Sequence, residues 1–188
     1  MRLTADAHKQ IHDAVVQAES KTRAHLAIAI VPVSDRYALY PLICGAAAAL
    51  LAGASLALLR PEMSLRLATI AEVAVFAAVA LALEPYVTRL LVVPRAVKRD
   101  KARALAHREF AARILAPARE GILIFASLGE RHVELLATAG LHKAVGEDEW
   151  SRIVTRFSAT AAEGRVADAA VEAARDCAVH LQTHFPKI

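Results

Sequence analysis

At 188 residues the chain can hold one domain of ordinary size and one further feature, which excludes two full domains plus a membrane region. An apolar share of 56% and a mean hydropathy of +0.38 exceed those of soluble domains, yet 22% of residues are charged, so part membrane and part globule is expected. The net charge of +4 is small but uneven: Arg95, Lys98, Arg99, Lys101, Arg103 and Arg108 are opposed within their run only by Asp100.

Thr4 can cap a helix running to about Thr22, in which Ala7, Ile11, Val15 and Ala18 form an apolar stripe. His25 to Val33 (HLAIAIVPV), rich in Ile and Val and followed by Ser34-Asp35, predicts a buried strand. From Pro41 to Leu59 there is no charge, and Tyr37 and Tyr40 stand before the run like interfacial anchors, so it can span a bilayer. After Arg60-Pro61-Glu62-Met63-Ser64, a second run from Leu65 to Leu83 is interrupted only by Arg66 and Glu72, and Pro85 is expected to kink or end it. A chain of this length could scarcely cover two such helices on every side, so lipid is their expected surrounding.

Gly45, Ala49 and Gly53 recur every fourth residue in the first span, as Ala74, Ala78 and Ala82 do in the second, which predicts two smooth ridges and a tightly packed hairpin. Glu72 is expected either to snorkel outward or to contact a partner. Arg36 before the first span, with Arg89, Arg95, Lys98, Arg99, Lys101 and Arg103 after the second, outnumber Arg60 and Arg66 in the loop. The positive-inside rule then places both termini in the cytoplasm, on the inner membrane, with the short loop outside.

Val97 to about Leu115 reads as a helix stopped before Pro117, with Ala104, Leu105, Phe110 and Ile114 on a mostly charged frame. Arg95, Lys98, Arg99, Lys101 and Arg103 are the expected contacts with anionic headgroups, each contributing about 1 kcal/mol. Gly121 to Leu128 (GILIFASL) and Arg131 to Thr138 (RHVELLAT) read as antiparallel strands joined by a two-residue turn at Gly129-Glu130. A helix from about Asp148 to Ala162 turns Trp150, Ile153, Val154 and Phe157 inward, Gly164 ends it, and a last helix covers about Val166 to His184. The expected fold class is α/β, an α-β sandwich with a small mixed sheet of at least three strands flanked by helices. It is built from residues 1–36 and 94–188 and interrupted by a transmembrane hairpin at 37–93.

Chemistry is sparsely signalled. Glu130, His132 and Glu134, with Arg131, form the densest ionisable group, at a hairpin end where an acid-base or metal role would need two such groups to converge. His8 and His12 share a helix face at metal-binding spacing, but no third ligand is evident and a solvated face is expected. Arg119-Glu120 and His142 read as structural pairing partners around the sheet. Cys44 and Cys177 show no zinc or redox spacing and read as small hydrophobes. No Walker loop, GxSxG, HExxH or dinucleotide glycine cluster occurs, and the basic run lacks interleaved aromatics, so neither a cofactor nor a nucleic-acid partner is expected.

The second half, GILIFASLGERHVELLATAG, then Trp150 with Ile153-Val154, Gly164-Arg165-Val166-Ala167-Asp168 and a His184-Phe185-Pro186 ending, resembles the bacterial membrane branch of the TPM-domain proteins. That domain takes its name from a thylakoid lumen phosphatase, a photosystem II repair factor and a nematode acetylcholine-receptor accessory protein. The first helix and strand, Ser34-Asp35-Arg36-Tyr37 and the apolar insertion are similar to the same branch, so the resemblance covers nearly the whole chain. It implies a maintenance factor or partner of membrane protein complexes, and acid phosphatase activity and calcium binding only through plant relatives. This chain lacks the acidic N-terminal segment of exported members, so no phosphatase or calcium residue is carried over, and a divalent metal is implied by resemblance alone. The leading expectation is a non-catalytic interaction module whose partners are the bilayer, its anionic headgroups and an unidentified membrane protein. The alternatives are a metal-dependent phosphate-ester hydrolase using Glu130 to Glu134, and a hairpin that self-associates into a homo-oligomer.

Overall fold

In the computed structural model, which describes residues 4–116 and 120–187, the elements in chain order are α1 (Ala5–Glu19), β1 (His25–Val31), α2 (Leu39–Leu59), α3 (Leu65–Ala82), α4 (Tyr86–Val92) and α5 (Arg95–Phe110). After a turn of π-helix at Ala111–Leu115 come β2 (Gly121–Ser127), β3 (His132–Ala137), α6 (Ala139–Val145), α7 (Glu147–Ala162) and α8 (Val166–His184). They form two units: one made of the chain up to Ser34 and from Arg99 onward, the other of Asp35–Lys98.

The first unit is mixed α/β. β2 lies at the centre of a three-stranded sheet, parallel to β1 with Ile28 opposite Ile124, and antiparallel to β3 with Ile124 opposite Leu135. All seven β2 residues are buried, which is why their sequence is a continuous apolar run and not an alternation. Leu26, Ile122, Ile124 and Ala126 join Ile11, Trp150, Ile153, Phe157 and Leu181 in one core, under α1, α7 and α8. Ala29, Leu123 and Phe125 face the other way and pack with Ala102 and Ala106 of α5. Helices thus cover both faces. Two parallel neighbours cannot be joined by a tight turn, so the β1-to-β2 connection has to be long, and the segment from Asp35 to Lys98 falls within it.

Thr4 caps α1 by accepting the Ala7 amide at 3.2 Å. The helix stops at Glu19, short of the expected Thr22, because the buried Thr22 hydroxyl donates to the Phe185 carbonyl at 2.6 Å and accepts the Ala24 amide at 3.1 Å. Thr22 also bridges Pro186, and the Arg23 guanidinium lies 5.7 Å from the Phe185 ring centre, so the α1–β1 loop is tied to the far end of the chain. β1 ends at Val31, two residues early, since Pro32 has no N–H to continue a ladder. A Cβ on Gly121 would come 2.7 Å from the His25 carbonyl oxygen, so the β2 entry requires glycine for close approach.

The β2–β3 connection is not the expected two-residue turn. It spans four residues, Leu128 to Arg131, because the Leu128 and Gly129 amides donate to the Val31 and Pro32 carbonyls and carry the chain further along β1 before it reverses. Arg131 completes the reversal in a left-handed conformation, φ 51°. Residues 139–145, read as loop in the sequence, form α6: the Thr138 carbonyl accepts the His142 amide, and Gly146 at φ 91° ends the helix. Pro117 and Arg119 lie outside the described residues.

The second unit is a pair of apolar helices with a short helix after them. α2 and α3 have mean hydropathies of 2.3 and 2.0 and are long and apolar enough to cross a membrane. Only 6% of the α2 window and none of the α3 window is buried. Core helices of soluble proteins are mostly covered, whereas Leu42, Ile43, Leu50, Leu51, Leu58, Ile70 and Val73 all point outward here. α3 ends at Ala82, with Leu83 as its C-cap, and Pro85 provides the cap position of α4, so the proline follows the end of the span and does not kink it.

Candidate functional site

Glu130, His132 and Glu134 divide into two bonding sets: His132 and Glu134 meet, and Glu130 stands apart with Ser34 and Ser127. One Glu130 carboxylate oxygen accepts the Ser34 amide at 3.0 Å and the other accepts the Ser127 hydroxyl. The Ser34 hydroxyl donates to Ser127 Oγ at 2.9 Å, which completes a chain from the segment after β1 to the end of β2. Ser127 is buried and its hydroxyl is engaged with both Ser34 and Glu130, so the carboxylate works as a clamp between two loops.

Glu134 projects from β3 on the α5 side. Its Oε2 lies 3.2 Å from His132 Nε2, while Oε1 lies 3.5 Å from Arg103 Nε and 3.9 Å from His107 Nε2. With 18% of its side chain exposed, Glu134 joins the sheet to α5. A guanidinium at the oxygen a dication would need argues against a metal between the two histidines. Among the described residues no three His, Cys, Asp or Glu side chains converge as metal ligands. His8 and His12 are both exposed on α1. Glu120, the described member of the Arg119-Glu120 pair, accepts the Thr138 hydroxyl, and His142 lies on α6.

The residues expected at headgroups divide by role. Arg95, Arg99 and Lys101 are exposed on α5, Lys98 donates to the Leu90 carbonyl at 3.0 Å, and Arg103 is the partner of Glu134.

In the hairpin, a Cβ on Gly45 would lie 3.1 Å from the Phe76 ring and carbonyl, and one on Gly53 would overlap the Glu72 carboxyl. Ala49, between them, is half-buried. The first ridge therefore faces α3. The second does not face α2: Ala74, Ala78 and Ala82 are exposed, and the inner face of α3 carries Glu72 and Phe76. The hairpin closes by setting two bulky side chains against glycine notches, so the small-residue ridge of α2 is occupied within one chain. Glu72 turns inward over Gly53 and does not snorkel.

Arg89 was counted in the sequence only as a flanking charge. Its guanidinium donates to the carbonyls of Arg36 and Glu84, both at 2.8 Å, approaches that of Leu83 at 3.5 Å, and pairs with the Glu84 carboxylate at 3.1 Å. With 13% of its side chain exposed, it satisfies carbonyls orphaned where α3 ends and ties them to the segment entering α2. A basic residue just beyond a proline-terminated span is the sequence signal that could have found it. Cys44 is half-buried and Cys177 fully buried, both as free thiols. Burial, aided by the neighbouring Asp176 charge, pushes the Cys177 thiol well above its ordinary value.

No protein-family model matches this chain, and no curated protein matches it. Among solved structures it is similar to the NMR structure of BA42 protein from the psychrophilic bacterium Bizionia argentinensis, at 14% identity, over 99% of this chain and 86% of that one, with a TM-score of 0.55. At that identity the likeness concerns the fold alone.

Proposed function

We propose that this chain is a membrane-anchored interaction module of the TPM-domain type, held in the inner membrane by α2 and α3 with both termini in the cytoplasm, where the α/β unit engages a membrane protein partner. The observation that carries the reading is the outward display of leucine, isoleucine and valine along two helices of spanning length, a surface that water would penalise and lipid would not. The excess of Lys and Arg flanking the pair supports the orientation. The bonding of Glu130 and Glu134 supports a non-catalytic role, since both carboxylates are engaged in joining elements of the fold. Affinity capture of the full chain after mild detergent extraction is expected to recover one reproducible partner. A monodisperse protein that co-purifies with nothing across detergents and growth conditions contradicts the reading.

A further inference from the structure

A cavity of about 320 Å³ opens beside the β2–β3 connection, between Arg131 and His132 on one side and α7 with the start of α8 on the other. Val133, Phe157, Ala161 and Val166 give it an apolar floor, and Ser158 stands at its edge. Two other grooves differ in charge. The one between α1 and α8 alternates Asp13, Asp168 and Glu172 with Arg165 and Arg175, and the one between α7 and α8 holds the Arg156–Asp176 and Arg152–Glu149 pairs. The cavity beside β3 counts Arg131 among its lining residues and no acidic residue, and the imidazole of His132, which also lines it, is bonded to Glu134. Glu130, the nearest acid in sequence, is not among the lining residues, and its carboxylate is engaged with Ser34 and Ser127. The Arg131 guanidinium itself makes no ion pair or hydrogen bond among the described residues, while its backbone holds the left-handed conformation that glycine would adopt without strain. An arginine kept at such a position, unpaired and at the mouth of an apolar cavity, is the complement of an anion with an apolar body.

We propose that this cavity receives the C-terminus of a partner polypeptide, with the terminal carboxylate on Arg131 and the apolar last side chain over Val133, Phe157 and Ala161. The volume is at the small end of ligand sites and enough for one or two terminal residues, and a free phosphate would leave the apolar floor unused. Capture of a terminal carboxylate is a recurring mode of peptide recognition, and a planar guanidinium suits it because it can donate two parallel hydrogen bonds. The inference rests on the reading of the chain as an interaction module and names where and how the partner binds.

The test uses the full chain in nanodiscs and N-terminally fluorescent hexapeptides ending in Leu or Val, read by anisotropy. The free-acid peptides are expected to bind, and their C-terminal amides to bind at least about tenfold more weakly. Arg131→Gln and Arg131→Gly should each lose about tenfold or more, Arg131→Lys should recover part of it, and Arg131→Gly should keep or raise the Tm. Equal binding of acid and amide, or a fall in Tm with Arg131→Gly, overturns the proposal, as does laurate binding in place of the peptides. If no peptide binds while the full chain and its Arg131→Gln variant still capture the same partner, the cavity assignment fails and the interaction module stands. If nothing is captured at all, the module itself fails.

Discussion

The two units bury opposite kinds of side chain. In the α/β unit, Leu123 and Phe125 are wholly enclosed and the charges lie outside or in pairs such as Glu134 with Arg103. In the hairpin, Leu50 is 76% and Leu58 83% exposed, while the contact between the helices is made by Gly45, Gly53, Phe76 and the carboxyl of Glu72. The hydrophobic effect builds the first arrangement. In the lipid surroundings proposed for the hairpin it would not drive helices together, since lipid tails are as apolar as leucine, and the second arrangement would then depend on close packing. The two units thus bury opposite kinds of side chain within one polypeptide, the pattern expected where the solvent changes along it.

The comparison breaks most visibly under one substitution made in both places. Leu123→Ala should cost about 2–5 kcal/mol through lost burial and the cavity left behind, whereas Leu50→Ala should cost under about 1 kcal/mol in nanodiscs, both measured by denaturant unfolding. Equal penalties would mean that α2 is enclosed by protein. Arg89→Ala should destabilise the hairpin by about 1.5–3 kcal/mol, the range for hydrogen bonds to a charged group, visible as fraying of α4 in hydrogen exchange. Gly53→Leu should cost about 1–3 kcal/mol by overpacking against Glu72, and Glu72→Ala should relieve part of that in a double-mutant cycle. An additive cycle would show that the two residues do not meet.

The smallest effect is alkaline. The unfolded Cys177 thiol loses its proton at about pH 8.5–9 while the folded one keeps it, so stability should fall as pH rises from there until the folded thiol also titrates. This one group can contribute at most about 1.4 kcal/mol per pH unit, and Cys177→Ala should flatten the slope between about pH 8 and pH 10.

The hairpin was legible because uninterrupted apolarity over a bilayer's length needs no tertiary information to recognise. β2 and the helices from Asp148 onward were legible for a related reason, since the continuous apolar run of the one and the periodicity of the others reflect burial directly. The inner face of α3 was not: an alanine-rich helix shows small residues at every fourth position on several faces, and only the bulk of Phe76 and the inward turn of Glu72 decide which one packs. α6 was missed because a seven-residue helix presents too few apolar positions to show a period, its only marks being Thr138 before it and Gly146 after it. Glu130 and Glu134 looked like one acidic group because they are close in sequence. They part because β3 begins between them, so one stays in the connection with Ser34 and Ser127 and the other follows the pleat toward Arg103 of α5. That separation depends on a partner strand and a partner helix far away in the chain.

Nitroxide scanning of single-cysteine variants through α2 and α3 in lipid vesicles tests the central claim most directly. Labels at Leu50, Leu58, Ile70 and Val73 should be accessible to oxygen and shielded from a water-soluble nickel chelate, with oxygen access greatest near the middle of each helix. Free collision with the nickel chelate along both helices would place them in water and contradict the account.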